Sequence, residues 1–137
     1  MRVDRRTGRA AAVAGVAAAM AVGLAVPAAA STAGTTVLEF ACNSGHTLCN
    51  LTYGAGRTVD YIVAQRSASL GSVGFFEAFG PSGVIKTGPT NTARETTLEV
   101  HRTYANGSLI CLRFWRYDRP GVFTQVGGNV CTSVPIG

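Results

Sequence analysis

The sequence predicts an all-β protein: a small, disulfide-stapled antiparallel β-sandwich or barrel of about seven short strands. Three observations carry this expectation. First, no stretch of helical length shows a 3.6-residue apolar period, and Ala64 to Leu70 is a single short candidate. Second, runs rich in β-branched and aromatic residues recur between clusters of Gly, Pro and Asn, with 17 glycines in 137 residues. Third, Cys42, Cys49, Cys111 and Cys131 form an even set in a short chain, as in a domain stapled by two bridges.

The chain opens on a basic leader, Arg2, Arg5, Arg6 and Arg9, followed by an Ala-rich apolar run from Ala10 to Val26 and then Pro27-Ala28-Ala29-Ala30. Residues 1–30 therefore read as an export signal removed at an Ala-x-Ala site. Ala and Gly dominate the run, so it reads as a cleaved segment and not a membrane anchor. Residues 31–36 read as a flexible mature N-terminus, and residues 37–137 as one β domain. The formal net charge is +5. Four arginines against Asp4 put +3 of it in the leader, leaving about +2 and no dense basic stripe, so no nucleic-acid partner is expected. The expected location is secreted or extracellular, the expected partner another secreted or surface protein, and no membrane contact is expected after cleavage.

The strands follow in order. Val37 to Phe40 and Leu48 to Tyr53 read as strands flanking an Asn-Ser-Gly loop. Gly54-Ala55-Gly56 breaks the run before Thr58 to Val63, where alternation places Val59, Tyr61 and Val63 on one face. Phe75 to Phe79 ends at the turn Gly80-Pro81-Ser82-Gly83, and Val84 to Lys86 is short. Thr96 to Ala105 alternates with Leu98 and Val100 on one face. Asn106-Gly107 then predicts a two-residue type I′ hairpin that pairs Val100 with Arg113 and Leu98 with Trp115. Asp118-Arg119-Pro120-Gly121 makes another turn, and Gly127-Gly128 bends the last strand before Cys131.

Three disulfide pairings are possible. The turn residues between Cys42 and Cys49, and the hairpin that Cys111 and Cys131 would bracket, favour the sequential one; the crossed pairings stay open. A metal centre is disfavoured, because there is no Cys-x-x-Cys knuckle and His46 and His101 are the only histidines. The expectation is no metal and no cofactor. Nor is an enzyme expected. No Gly-x-Ser-x-Gly elbow or phosphate-binding Gly loop is present, and the six acids beyond the leader are scattered. His101 reads as a solvated strand residue and His46 as an exposed loop residue.

Binding is the remaining class. Trp115, Arg116, Tyr117, Asp118 and Arg119 concentrate the residue types that dominate interface hot spots. Alternation sends Trp115 and Tyr117 to one face and Phe114 and Arg116 to the other; in a structural role, Trp115 packs as a core residue against Leu98. Val37, Leu38, Glu39 and Phe40, beside a loose flank, suit strand addition to another sheet. The expected function is a secreted, non-enzymatic protein-binding module, a subunit or adaptor of an extracellular or cell-surface assembly. A hydrolase inhibitor and a small carbohydrate-binding protein are the alternatives.

Trp115-Arg116-Tyr117 resembles the triplet of small secreted bacterial α-amylase inhibitors of the tendamistat type. That resemblance implies that these three residues enter an enzyme's active site from a loop. The segment Cys111 to Cys131 is similar to spore-associated protein A-like secreted proteins of actinomycetes, which implies surface association. The format also resembles adaptor subunits of umbrella-shaped toxin particles, where an exposed strand docks another subunit.

Overall fold

Eight strands make two four-stranded antiparallel sheets stacked face to face. The computed structural model describes residues 36–137; the export signal, and all of the expected loose N-terminus but Thr36, lie outside the described residues. The strands are β1 (Val37–Cys42), β2 (Leu48–Ala55), β3 (Thr58–Arg66), β4 (Gly74–Gly80), β5 (Gly83–Thr87), β6 (Glu95–Thr103), β7 (Leu109–Arg119) and β8 (Val122–Ser133). The first sheet runs β1-β2-β3-β6 and the second β5-β4-β7-β8. A single 3-10 turn, Ala68–Leu70, is what becomes of the helical candidate, whose first residues belong to β3.

Apolar side chains from both sheets meet between them. Leu48, Val59, Ile62 and Leu98 of the first sheet pack with Phe76, Ile110, Leu112, Phe114 and Val130 of the second. Burial of such side chains, at roughly 1.5–3 kcal/mol each, is the main force that joins the layers. A polar network crosses the same interior. Asn50 Nδ2 donates to the carbonyls of Ile110 (2.9 Å) and Val130 (3.2 Å). The Thr52 hydroxyl donates to Asn50 Oδ1 (2.9 Å) and lies 2.7 Å from that of Thr132. All three residues are buried. Paired this way, they tie one sheet to the other without leaving their polar groups orphaned.

The disulfides are sequential, Cys42–Cys49 and Cys111–Cys131, with no free cysteine. Each joins residues directly opposite on neighbouring strands, β1 to β2 and β7 to β8. Asn43 shapes the first bracketed loop. Its Oδ1 accepts from the backbone N–H of Thr47 (2.8 Å) and Leu48 (3.2 Å), and its Nδ2 donates to the Gly127 carbonyl (3.0 Å). That last bond fastens the loop to the opposite sheet.

Three sequence expectations are corrected. The Asn106-Gly107 hairpin does not form: β6 pairs with β3, and β7 pairs with β4 and β8, so this turn carries the chain from one sheet to the other. Gly107 has φ 79°, Asn106 does not have a positive φ, and Ser108 N–H donates to the Ala105 carbonyl (3.1 Å). Positive φ at only the second central residue is the type II pattern, not I′. The Leu98–Trp115 pair therefore does not exist. Finally, Val59 does not share a face with Tyr61 and Val63. The register shifts between Val59 and Tyr61, with Asp60 the extra residue against β2, so Val59 points inward and Tyr61 outward.

Candidate functional site

The outer face of the first sheet is apolar. Across β1, β2 and β3, register places Leu38, Tyr53 and Tyr61 in one row and Phe40, Leu51 and Val63 in the next. Opposite residues share a face. Phe40 is 68% exposed and Leu38 40%, while Leu51, Tyr53, Tyr61 and Val63 are half-buried. The Tyr53 and Tyr61 rings stack at 4.7 Å. On β6 the rows end in Glu99 and Thr97. Glu99 Oε2 meets His101 Nε2 at 2.9 Å, both side chains being exposed.

The polarity of β2 runs opposite to the usual rule. Its inward positions include Asn50 and Thr52, while Leu51 and Tyr53 point outward. In β1, Glu39 opposes buried Thr52, and Leu38 and Phe40 turn outward. β2 thus spends apolar residues on the surface and polar ones inside, and β1 adds Leu38 and Phe40 to the same outer face. β1 is also an edge: among the described residues it pairs with β2 alone. Val37, Leu38, Glu39 and Phe40 all lie on it.

A second aromatic surface covers the outer face of the second sheet. Phe75 and Trp115 are cross-strand neighbours, and Tyr117 opposes Phe123. Phe75 and Phe123 meet edge to face at 5.0 Å, and Tyr117 and Phe123 at 5.5 Å. The Arg113 guanidinium lies 4.8 Å from the Phe79 ring centre and 5.1 Å from that of Trp115. Glu77 holds it in an ion pair and also accepts from Trp115 Nε1 at 3.3 Å. Within this cluster the indole N–H has its acceptor and the Arg113 charge has its counter-charge, both in Glu77. Trp115 is half-buried on an outer face and is not a core residue.

The Trp115-Arg116-Tyr117 triplet is divided by its strand. It lies inside β7 and not in a loop, with Trp115 and Tyr117 on the outer face and Arg116 on the other. Arg116 Nε donates to Asp118 Oδ1 (2.9 Å), and the Thr124 hydroxyl donates to Asp118 Oδ2 (2.5 Å). Those two bonds, the hydroxyl first, hold the exposed Asp118 carboxyl below the usual carboxylate range. Arg119 ends β7, exposed beside the Pro120-Gly121 turn. The structure thus gathers Leu38 and Phe40 with Leu51, Tyr53, Tyr61 and Val63, and separates them by the sandwich's thickness from Trp115 and Tyr117.

Sequence reasoning did not single out Leu51, Tyr53, Tyr61 and Val63. One signal was available for β2: Asn50 and Thr52 alternate with Leu51 and Tyr53, so one face of that strand had to be polar. The histidines stay apart. His46 sits exposed in the Cys42–Cys49 loop, and both it and His101 take positive φ, 51° and 47°. His101 lies where β6 runs one residue longer than β3 between paired positions.

The fold and surfaces define a two-sheet, disulfide-clamped β-sandwich with an apolar outer face. Compared with protein-family models, curated proteins and solved structures, the chain matches none.

Proposed function

We propose that this chain is an exported, non-enzymatic protein-binding module that docks a protein partner on the outer face of its first sheet and along the free edge of β1. The observation that carries this reading is the reversed polarity of β2 beside an apolar β1 edge: Phe40 and Leu38 of β1 lie in the open while Asn50 and Thr52 of β2 occupy the interior. Contiguous apolar surface left facing water marks an interaction site. An unpaired edge strand offers a row of backbone donors and acceptors to a partner's strand, and the flanking apolar rows offer it packing. Two disulfides accord with an oxidising, extracellular setting. Such a surface supports a role as subunit or adaptor of an extracellular assembly. The inhibitor reading draws less support, since its three residues do not share a face.

The test is binding from culture supernatant with three proteins side by side: wild type, Phe40→Glu and Trp115→Ala. Because Phe40 is mostly exposed, Phe40→Glu keeps the fold, checked by melting temperature. The expected result is one specific partner, or self-association, held by wild type and Trp115→Ala and lost with Phe40→Glu. Equal recovery by Phe40→Glu, or loss with Trp115→Ala alone, overturns the assignment to this face.

A further inference from the structure

Among the described residues Arg66 is a buried cation with no anion paired to it. It ends β3, it is 6% exposed, and its guanidinium lies 4.7 Å from the Phe114 ring centre. Nη1 donates to the Gly71 carbonyl, and Nη2 donates to those of Ser72 (3.0 Å) and Thr92 (3.1 Å). A guanidinium has five N–H groups. Three are spent on neutral carbonyls. Nε–H has no acceptor, and one hydrogen of Nη1 remains. No carboxylate pairs with Arg66 among the described residues. A buried charge without a counter-charge is costly, so the missing partner is itself informative.

Beside it is a solvent-open cavity of about 220 Å³, lined by Arg66, Ala68, Gly71, Ser72, Thr92 and Arg94. Its polar side chains are two guanidinium groups and two hydroxyls, with no acid. The Arg66 backbone N–H donates to the Arg94 backbone carbonyl at 2.8 Å, which sets the two residues side by side. Burial first, and the Arg94 charge second, hold the Arg66 guanidinium below the ordinary arginine range. It stays charged at neutral pH. Two like charges facing one cavity repel a metal cation and attract an anion.

We propose that this cavity binds a small oxyanion, of the phosphate, sulfate or carboxylate kind, between Arg66 and Arg94. The oxyanion supplies the counter-charge that the fold withholds from Arg66. Ser72 and Thr92 hydroxyls complete the donor set. The site is independent of the docking face proposed above.

The experiment is an NMR titration of the full chain with inorganic phosphate, sulfate or acetate at constant ionic strength, chloride being the control. Expected are saturable shifts confined to Arg66, Gly71, Ser72, Thr92 and Arg94, and a melting temperature that rises with the oxyanion but not with chloride. Arg94→Gln is expected to weaken binding about tenfold, the effect of one charge-assisted contact. Lys86→Gln, a cation elsewhere on the surface, should leave affinity unchanged. Tighter phosphate or sulfate assigns a tetrahedral ligand, and tighter acetate a carboxylate. Shifts that do not saturate by about 20 mM, that match chloride, or that are the same in Arg94→Gln overturn the site.

Discussion

Asn50 is an amide where a strand of a sandwich ordinarily places an aliphatic side chain. It donates to one carbonyl on β7 and another on β8 and accepts from Thr52, so three partners lose their bond together if it is truncated. Asn50→Ala is expected to cost about 2–4 kcal/mol, measured by urea unfolding, which exceeds an ordinary surface substitution several-fold. Tyr104 presents the opposite case. Its hydroxyl is shut off from solvent, and among the described residues no group, the nearby Arg102 included, meets hydrogen-bond geometry with it. Burial pushes the phenol up from its ordinary value of 10.0, against a weaker opposing pull from Arg102. The folded protein then keeps its proton at a pH where the unfolded chain has released it. The stability this provides is complete below the unfolded value and falls away as pH climbs through the folded one. Melting temperature should therefore decline above about pH 10. Tyr104→Phe is expected to flatten that decline and to leave stability at pH 7 unchanged or higher.

At the scale of the element, the turn after β6 separates what local sequence can say from what it cannot. Alternation from Thr96 to Ala105 was legible, as was a turn at Asn106-Gly107. Which strand lies beside β6 was not, because a two-residue signal describes a turn and not the sheet each flank joins. The consequence is measurable. Asn106→Ala should be close to neutral, since Asn106 does not take positive φ, whereas a type I′ turn would penalise it by about 1–2 kcal/mol. Gly107→Ala, at φ 79° with open space around it, should cost about 1 kcal/mol by chemical denaturation. The face of Tyr61 was hidden for a related reason. One extra residue, Asp60, inverts the parity of everything after it in β3, and no local pattern announces a bulge. The candidate face was half legible: Leu38 and Phe40 stood out by position, but their neighbours become neighbours only through register. Turn residues marked both cysteine brackets: a short polar loop lies between Cys42 and Cys49, and the Asp118-Arg119-Pro120-Gly121 turn folds Cys131 back beside Cys111.

For the whole molecule, the stacked layers and the staples divide the labour. Burial of apolar side chains and the Asn50 network hold sheet to sheet, while each disulfide reinforces a single sheet. The loops closed span separations of 7 and 20 residues. Loop-closure entropy gives about 2.5 and about 3.3 kcal/mol for them. Replacing Cys111 and Cys131 together by Ser should therefore lower unfolding free energy more than replacing Cys42 and Cys49, with denaturant titration of the two double variants as the check.

Because both sulfur links stay within a leaf of the sandwich, they also shape how the protein responds to being pulled. A tether dragging on the chain at Val37 peels β1 from β2 only as far as Cys42, where the first link arrests the tear. The stretches between the linked cysteines, at sequence separations of 7 and 20, stay locked away even when the leaves have parted. That withholds about 90 Å of contour length from the stretched thread until a reductant severs the links. A partner anchored at the N-terminal edge would thus be gripped by a handle that yields a short way and then holds.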